Sequence, residues 1–453
     1  MSDVIVGLDI GTSNVRVVVA EFTEENKLEV IGLGTSPSTG LRKGAVLNIE
    51  ATVRAITDAV EEAEKMAGHE IKSCNVAIGG SQIDGFNSKG QVAVTVKGRD
   101  SSGDNKEIDQ NDINRVIEAA RNIKIPPDRC ILHVIPQSYT VDGQETDSSP
   151  KAMLGCRLEV EVHIITASVT AMENIRRCVF RSGYEVSGIV LKTLAAARSV
   201  MTEEERKLGS ILIDLGGGTT DVLIIQKDAP VCSCSVPLGG QNVTKDIAAV
   251  KGITESTAEQ LKIQSGCCWA PLIDSDEYIT LPSVGGRPPE EISRQELCQI
   301  IEPRVMEILM MARDKLAMHS RSHQLAGSVV LCGGGALMPG VQDLAQHVFQ
   351  TNAVRIGKSA DLSRVFNRTN SGYANPAENA GLFKELSAMN QPVTTSSFYD
   401  EYNSSEFATA TGIVLLRADE YRKQIEEGKY QVRSAPKSSE LGQKLWGFLK
   451  EFF

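Results

Sequence analysis

A strand–loop–strand pattern occurs twice in this chain of 453 residues. The first copy runs from the apolar residues 4–8 into Asp9, and the second runs from residues 211–213 into Asp214. In both copies the aspartate opens a loop rich in glycine, serine and threonine, and a second β-branched strand follows. Such loops expose backbone N–H groups, and glycine leaves room for a phosphate oxygen to approach them. The two copies predict a pair of phosphate-binding loops that face each other across a cleft.

Each loop contributes candidate ligands for the phosphates of a nucleotide. In the first loop these are Gly11, Thr12, Ser13, Asn14 and Arg16, and in the second they are Gly216, Gly217, Gly218, Thr219 and Thr220. The carboxylates of Asp9 and Asp214 would repel phosphate directly, so we expect them to hold a hydrated Mg²⁺ against it and to position water for catalysis. One such loop would be explained as well by an ordinary hairpin, but two copies favour nucleotide binding. The sequence has no G-x-x-x-x-G-K-[ST] motif, which excludes a P-loop protein.

Two later segments suit the nucleoside end of such a ligand. A strand-like run at 328–332 leads into a glycine-rich turn and a helix, a unit that lets the backbone pass close to adenine and ribose. Its candidate contacts are Gly333, Gly334, Gly335 and Leu337. Glu259 and Lys262 are three residues apart on a predicted helix and therefore share one face. They either form a surface ion pair or reach the ribose or adenine.

The order of these four segments resembles that of the actin/Hsp70/sugar-kinase superfamily. Residues 191–197 are similar to its connecting helix before the second phosphate loop. Residues 408–413 are similar to its closing helix, where small residues let two helices cross closely at a hinge. The resemblance implies an α/β, actin/Hsp70-like two-lobed ATPase fold that binds ATP and Mg²⁺ between its lobes.

The segment after residue 82 departs from the superfamily pattern. It predicts a pair of strands at 83–90 and 92–96, followed by a helix that is capped at Asp109. Two further strands are predicted around Pro136 and Leu158. Together these elements predict a compact α+β insertion in the first lobe.

The motifs in and beyond this insertion resemble the FtsA family of bacterial cell-division proteins. The similar segments are 133–143, 150–166, 201–209, 237–247 and 285–294. The similarity extends from Val4 to about Leu416. It implies a protein that polymerises on the inner face of the cytoplasmic membrane at the division site. There it would tether filaments of the tubulin-like protein FtsZ during assembly of the septal ring, together with other division proteins.

The resemblance also implies a division of the chain into subdomains. These are a first-lobe core (1A) at 1–82 and 165–207, the inserted subdomain (1C) at 83–164, a second-lobe core (2A) at 208–248 and 309–427, a second-lobe tip (2B) at 249–308, a flexible linker at 428–440 and a membrane-targeting amphipathic helix at 441–453. The resemblance places Gly239 and Gly240 near the nucleotide. It implies that the tip docks the C-terminal peptide of FtsZ, with Arg287, Arg294 and Arg304 as candidate contacts, although each could equally be a solvated surface arginine.

Two other functions fit a nucleotide cleft of this kind. One is a small-molecule kinase of the same superfamily, and the other is a pilus-assembly adaptor that resembles FtsA. A kinase needs a second substrate site with a base, for which we find no motif. Hydrolysis of ATP is less certain than its binding, because the connecting helix offers Lys192 and Thr193 where relatives often have an acid or amide. The first loop has Asn14 where relatives commonly have lysine, so we expect tight ATP binding and slow turnover.

The last 13 residues predict an amphipathic helix with an apolar stripe and a basic opposite face. The residues that we expect at the membrane are Leu441, Lys444, Leu445, Trp446, Phe448, Leu449, Lys450, Phe452 and Phe453. Aromatic content, basic charge and a polar linker before the helix favour an interfacial anchor on anionic lipid. The alternative is a helix that packs on the core. An anchor also disfavours the kinase and the pilus adaptor, since neither requires one.

Composition limits the remaining possibilities. The formal net charge of −11 argues against non-specific binding of nucleic acid. The 10 cysteines lack C-x-x-C zinc spacing and no signal peptide precedes them, so we expect reduced, mostly buried thiols in a cytoplasmic protein. No apolar run approaches the ~18 residues of a membrane span.

Overall fold

The computed structural model describes residues 4–23, 27–94, 106–146, 148–274, 277–281, 290–319, 327–359 and 402–426. The strands in these residues are β1 (Val4–Ile10), β2 (Asn14–Phe22), β3 (Leu28–Pro37), β4 (Leu41–Arg42), β5 (Ala45–Val46), β6 (Ser73–Ile78), β7 (Ile83–Ala93), β8 (Lys106–Glu107), β9 (Arg129–Val141), β10 (Gln144–Thr146), β11 (Leu154–Gly155), β12 (Arg157–Ser168), β13 (Glu185–Leu191), β14 (Ser210–Leu215), β15 (Thr220–Gln226), β16 (Ala229–Val236), β17 (Tyr278–Leu281), β18 (Glu290–Ser293), β19 (Val329–Cys332) and β20 (Val354–Ile356). The helices are α1 (Ile49–Ala67), α2 (Gln110–Arg121), α3 (Val169–Arg181), α4 (Lys192–Val200), α5 (Glu203–Leu208), α6 (Gly240–Lys251), α7 (Glu255–Ser265), α8 (Arg294–His319), α9 (Val341–Phe349) and α10 (Ala408–Glu426).

Two five-stranded sheets repeat one arrangement. The first has the order β13-β6-β1-β2-β3, and the second has the order β16-β15-β14-β19-β20. In the first sheet the antiparallel hairpin β1–β2 lies beside the parallel strand β6. In the second sheet the hairpin β14–β15 lies beside the parallel strand β19. The two loops predicted from the repeated motif are therefore the tips of equivalent hairpins. We call the bodies around these sheets the first and second lobes.

Close packing of helices on the first sheet depends on glycine. A Cβ atom at Gly34 of β3 would lie only 1.9 Å from the backbone oxygen of Ala59 in α1. The helix can therefore rest directly on the strand, and it buries Ala59, Val60 and Ala63 completely. Asn48 caps its first turn by accepting a hydrogen bond from the backbone N–H of Ala51.

The insertion contains a four-stranded antiparallel sheet of order β10-β9-β12-β7, with α2 packed against it. Asp109 caps α2, as the sequence predicts, in a capping box with Asp112. The prediction of a strand pair at 83–90 and 92–96 was wrong, because residues 83–93 form the single strand β7. Its glycines serve close packing instead of a turn: a Cβ atom at Gly90 would lie 2.4 Å from the backbone oxygen of Val116 in α2.

Helices α4 and α10 cross at the base of the two lobes. A Cβ atom at Gly412 of α10 would lie 1.7 Å from the backbone oxygen of Ala195 in α4. On its other side α10 meets β1, where a Cβ atom at Gly7 would lie 2.3 Å from the oxygen of Ala410. The close crossing expected from the small residues is therefore present.

All 10 cysteines lie in the described part of the chain and are free thiols, and seven of them are buried. Cys232 and Cys234 lie on β16. None of the described helices combines the length and the apolar character that a membrane crossing requires. The predicted linker and terminal helix, 428–453, lie outside the described residues.

Candidate functional site

The tips of the two hairpins face each other across a cleft between the lobes. In the first tip the N–H of Gly11 donates to the oxygen of Asn14, and in the second the N–H of Gly216 donates to the oxygen of Thr219. A Cβ atom at Gly217 would lie 2.1 Å from the Ser13 hydroxyl oxygen, so the loops nearly touch. The cleft has a volume of about 360 Å³. A nucleotide fits a cavity of this size.

Most of the predicted contacts line this one cleft. The loop residues that do so are Asp9, Gly11, Thr12, Ser13, Asn14, Arg16, Asp214, Gly216, Gly217, Gly218 and Thr219. The predicted contacts from later segments are Gly240, Glu259, Lys262, Gly333, Gly334, Gly335 and Leu337. Thr220 and Gly239 stand behind it: the Thr220 hydroxyl donates to the oxygen of Leu238, and a Cβ atom at Gly239 would meet the oxygen of Gly216 at 2.5 Å. The fold thus brings residues that are more than 300 positions apart in the sequence into one site.

The floor of the cleft carries an ion pair that the sequence did not suggest. Lys192 is the first residue of α4, and its Nζ atom lies 3.1 Å from Oδ2 of Asp214 and 4.0 Å from Oδ2 of Asp9. Burial alone would lower the pKa of Lys192, but the carboxylates around it outweigh burial and raise that pKa. Burial raises the pKa of Asp9, although the nearby Lys192 opposes this effect. Lys192 therefore remains a cation between the two predicted metal-binding carboxylates.

Asp221 joins the second phosphate loop to the first lobe. The backbone N–H of Gly80 donates to both of its carboxylate oxygens, at 3.1 and 3.2 Å. The Thr219 hydroxyl donates to Oδ2 at 3.2 Å. Burial raises the pKa of Asp221 to about 6. The sequence motif contains this residue, but its partner Gly80 is 141 positions away, so the bridge could not be seen before the fold was known.

The opposite end of the cleft has the features of a nucleoside pocket. Lys262 Nζ lies 2.7 Å from Oε2 of Glu259 and donates to the Thr244 hydroxyl at 2.9 Å and to the Gly240 oxygen at 3.2 Å. Ile263 lines the cleft although it is 71% exposed, and Leu337 is 51% exposed. Exposed aliphatic side chains on the walls of a cleft suit contact with a flat base. Glu259 and Lys262 therefore form the ion pair that one of the two alternatives predicted, and both also line the cleft.

Arg16 contacts the residues that precede α10. It forms an ion pair with Glu406, just before α10, and its guanidinium carbon lies 5.8 Å from the centre of the Phe407 ring. The Ser405 hydroxyl donates to the oxygen of Gly333, so this segment also contacts the glycine-rich turn. The sequence did not indicate Glu406 and Thr409 as site residues, although both line the cleft. Glu406 lies just before the segment 408–413 and Thr409 lies within it. The resemblance of this segment to the closing helix of the superfamily was the signal that could have indicated them.

The predicted partner arginines are held by internal carboxylates. Arg294 pairs with Glu277 and donates to the oxygen of Ser265 at 3.0 Å. Arg304 pairs with Asp246 at 2.6 Å and also with Glu307. These contacts give both arginines a structural role within the second lobe. Arg287 and all the predicted membrane residues lie outside the described part of the chain.

The residues of the cleft fit a polyphosphate ligand. Both tips contain glycine, which leaves room for a phosphate oxygen to approach the backbone. Oδ2 of Asp214 lies 3.1 Å from Nζ of Lys192, whereas the other carboxylate oxygen, Oδ1, is buried without a hydrogen-bond partner among the described residues and so can accept from a ligand or water. In the described chain no cluster of three or more histidine, cysteine, aspartate or glutamate residues could hold a metal ion. A divalent cation would therefore take most of its ligands from phosphate and water.

Comparison with known proteins identifies the family. The family model "Cell division protein FtsA" matches residues 211–412, and the model "SHS2 domain inserted in FTSA" matches residues 80–166. "Cell division protein FtsA" of Borreliella burgdorferi is 38% identical over 453 residues, which cover 100% of this chain and 99% of the relative. The chain belongs to the FtsA family. The FtsA proteins of Pseudomonas aeruginosa and Bacillus subtilis are 44% and 40% identical, each over 78% of this chain and over 82% and 78% of their own lengths.

The solved structures support the predicted fold. A chain of the "PilM-PilN type IV pilus biogenesis complex" superposes with a TM-score of 0.60 and 17% identity, and the match covers 91% of this chain and 98% of that chain. This likeness concerns the fold alone. Together with the FtsA family matches it confirms the actin-like α/β fold with an inserted subdomain. The FtsA relatives support the cell-division function over the pilus-adaptor alternative.

Proposed function

We propose that this FtsA-family chain is an ATP-binding protein that polymerises on the membrane and tethers FtsZ filaments at the division site. The observation that supports ATP binding most directly is the pair of glycine-rich tips, which almost touch at Gly217 and Ser13. The exposed aliphatic walls near Lys262 and Glu259 would receive adenine and ribose. Asp9 and Asp214 would reach Mg²⁺ through water, and the bound cation would neutralise charge on the phosphates.

Calorimetry with ATP tests this proposal. Gly217→Val places a branched side chain where even a Cβ atom would meet Ser13 at 2.1 Å, so we expect it to abolish binding. Asp214→Ala should weaken binding of Mg-ATP because it removes one of the two carboxylates. Ser148→Val, on an exposed turn of the insertion, is the matched control and should bind like the parent. Parent-like binding by both site variants would refute the proposed nucleotide site.

We infer that the terminal helix at 441–453 anchors the chain to anionic lipid on the cytoplasmic face of the membrane. Its apolar and aromatic stripe would enter the acyl boundary, and its lysines would meet the headgroups. Pelleting with anionic vesicles should recover the full-length protein, whereas a chain truncated at Ser438 should stay in the supernatant. Recovery of both forms would place the lipid contact elsewhere.

We propose the second-lobe tip, 249–308, as the docking site for the FtsZ peptide. Leu272 and Tyr278 are 54% and 64% exposed there, and they would receive the apolar part of the peptide. Arg287, Arg294 and Arg304 remain the candidate contacts for its acidic part. Because Arg294 and Arg304 already have internal partners, we expect Tyr278→Glu to weaken peptide binding more than Arg294→Gln. Fluorescence anisotropy with a labelled peptide compares the two, and the opposite order would contradict an apolar docking site.

We propose that the inserted subdomain, 83–164, lies at the contact between protomers in a filament. Leu154 is 63% exposed on this subdomain, and it provides a site for a mild perturbation. Leu154→Asp should reduce filament formation on lipid, seen by electron microscopy, without changing ATP affinity. Gln144→Asp on the exposed end of β10 is a charge-matched control. Filaments of normal abundance in the Leu154 variant would move the contact to another surface.

A further inference from the structure

An ion pair between Arg16 and Glu406 forms part of the wall of the cleft. Arg16 belongs to β2 and stands opposite Asp9 in the register of the first hairpin. Glu406 belongs to the short turn before α10. Both residues line the cleft, and their side chains are 12% and 31% exposed. The pair therefore lies within reach of a ligand in the cleft.

The turn that carries Glu406 is fixed to the glycine-rich turn after β19. The Ser405 hydroxyl donates to the backbone oxygen of Gly333 at 3.1 Å, and the N–H of Gly333 donates to the oxygen of Ser405 at 3.2 Å. A Cβ atom at Gly334 would lie 3.1 Å from Oε1 of Glu406. The carboxylate of Glu406 thus lies against a segment that we expect to contact the nucleotide.

Arg16 holds this carboxylate from the other side. Its guanidinium pairs with Glu406, and its guanidinium carbon lies 5.8 Å from the centre of the Phe407 ring, which is the distance of a cation–π contact. A guanidinium presents its N–H donors in a planar fork that fits the oxygens of a carboxylate or of a phosphate. Glu406 therefore gives Arg16 the kind of anionic oxygen that a phosphate group would give it.

Exchange of the carboxylate for a phosphate is favoured by charge. An ion pair that is partly exposed contributes little to the stability of a fold, because water screens it, so the loss of this pair is a small cost. A phosphate group carries more negative charge than a carboxylate and attracts the guanidinium more strongly. Two anions at one guanidinium would repel each other, so the stronger one displaces the weaker.

We propose that Glu406 is an internal competitor of the nucleotide: its carboxylate holds the Arg16 guanidinium, and a phosphate group of the nucleotide displaces it. The inference rests on the proposed binding of ATP in this cleft. Glu406 thereby lowers the affinity for ligands that carry phosphate and leaves the affinity for the nucleoside unchanged.

Calorimetry with Mg-ATP tests this inference. Glu406→Gln keeps the shape of the side chain and removes its charge, so we expect it to bind ATP about fivefold more tightly than the parent. ADP should also bind more tightly, whereas adenosine, which has no phosphate, should bind both proteins equally. Glu420→Gln is the matched control, because it removes a carboxylate from an ion pair on the exposed face of α10. It should bind ATP like the parent.

Two further variants show whether the gain depends on Arg16. Glu406→Gln in an Arg16→Gln background should lose most of the gain, because the competition for the guanidinium no longer exists. Glu406→Ala removes the side chain at a partly exposed position and should reproduce the gain, so the result does not depend on the new amide. Melting temperatures close to that of the parent confirm that the variants are folded.

Parent-like or weaker ATP binding by both Glu406 variants would overturn the inference while leaving ATP binding intact. An equal gain for adenosine would place the effect of Glu406 at the nucleoside. An equal gain in the Arg16→Gln background would reduce the effect to charge repulsion across the cleft. Either of these two results also overturns the proposed exchange. A parent that binds no ATP would overturn the proposed nucleotide site, and this inference with it.

Discussion

Substitution of Gly412 by alanine tests the crossing of α4 and α10. In an open position the change would stabilise the helix, since alanine is favoured over glycine by about 1 kcal/mol. Here the new Cβ atom would lie 1.7 Å from the backbone oxygen of Ala195, far inside the 3.0 Å that real Cβ contacts respect. The two helices would have to separate by more than 1 Å. They could do so only by opening the packing around Ile413 and Ala77, which are almost fully buried.

The expected magnitude follows from these opposing effects. Overpacking of a dense core costs about 1–3 kcal/mol, and a backbone obstacle places this site at the upper end. After the gain of about 1 kcal/mol from helix propensity, we expect a net loss of about 2 kcal/mol. A domain of about 150–250 residues loses about 2–4 °C in melting temperature for each kcal/mol, so we expect a melting temperature lower by about 4–8 °C. Thermal unfolding followed by circular dichroism measures the shift.

Matched variants make the result specific. Glu420→Ala adds alanine on the exposed face of the same helix, and it should change stability by less than about 0.5 kcal/mol. Ala195→Gly should not rescue Gly412→Ala, because the obstacle is a backbone oxygen and not a side chain. A higher melting temperature for Gly412→Ala, or a rescue by Ala195→Gly, would refute the close backbone crossing.

Two other predictions concern pH and lipid. Burial lowers the pKa of His133 to about 4, below its usual 6.5, so the folded state binds fewer protons than the unfolded state between these values. Stability should therefore fall as the pH drops from about 6.5 to 4, and this fall should be smaller in His133→Gln by denaturant unfolding at a series of pH values. Trp446→Glu with Phe448→Glu should release the protein from vesicles of any composition. Lys444→Glu with Lys450→Glu should weaken binding on anionic vesicles, as added salt does, and equal binding to neutral vesicles is the control.

The sequence predicted the elements that local pattern determines. The two hairpin tips, the glycine-rich turn after β19 and the capped helix α2 all follow from residues that are adjacent in the chain. The equivalence of the two lobes was visible as well, because both aspartates, Asp9 and Asp214, stand at the end of a buried strand. These features can be predicted without knowing which distant residues contact each other.

The error at β7 shows the limit of this approach. The sequence predicted two strands, at 83–90 and 92–96, whereas Gly85 and Gly90 both lie in one strand, which pairs along its length with β12. A Cβ atom at Gly85 would lie 2.0 Å from the Ser233 hydroxyl oxygen of β16 in the second lobe. Glycine in a strand often marks the close approach of another backbone, but the approaching segment is more than 140 residues away in the chain. Only the fold distinguishes this use from a turn.

Contacts of β12 with β16 and β7 join the insertion to the nucleotide cleft. His163, on β12, hydrogen-bonds through Nε2 to the Ser233 hydroxyl at 2.8 Å and through Nδ1 to Asn87 of β7. β16, which carries Ser233, pairs with β15, and β15 carries Asp221 next to the second phosphate loop. Because Asp221 also accepts hydrogen bonds from Gly80 of the first lobe, one short stretch of sheet contacts both lobes and the insertion. Hydrogen bonds and strand pairing therefore form one continuous set of contacts from the second glycine-rich loop to the insertion.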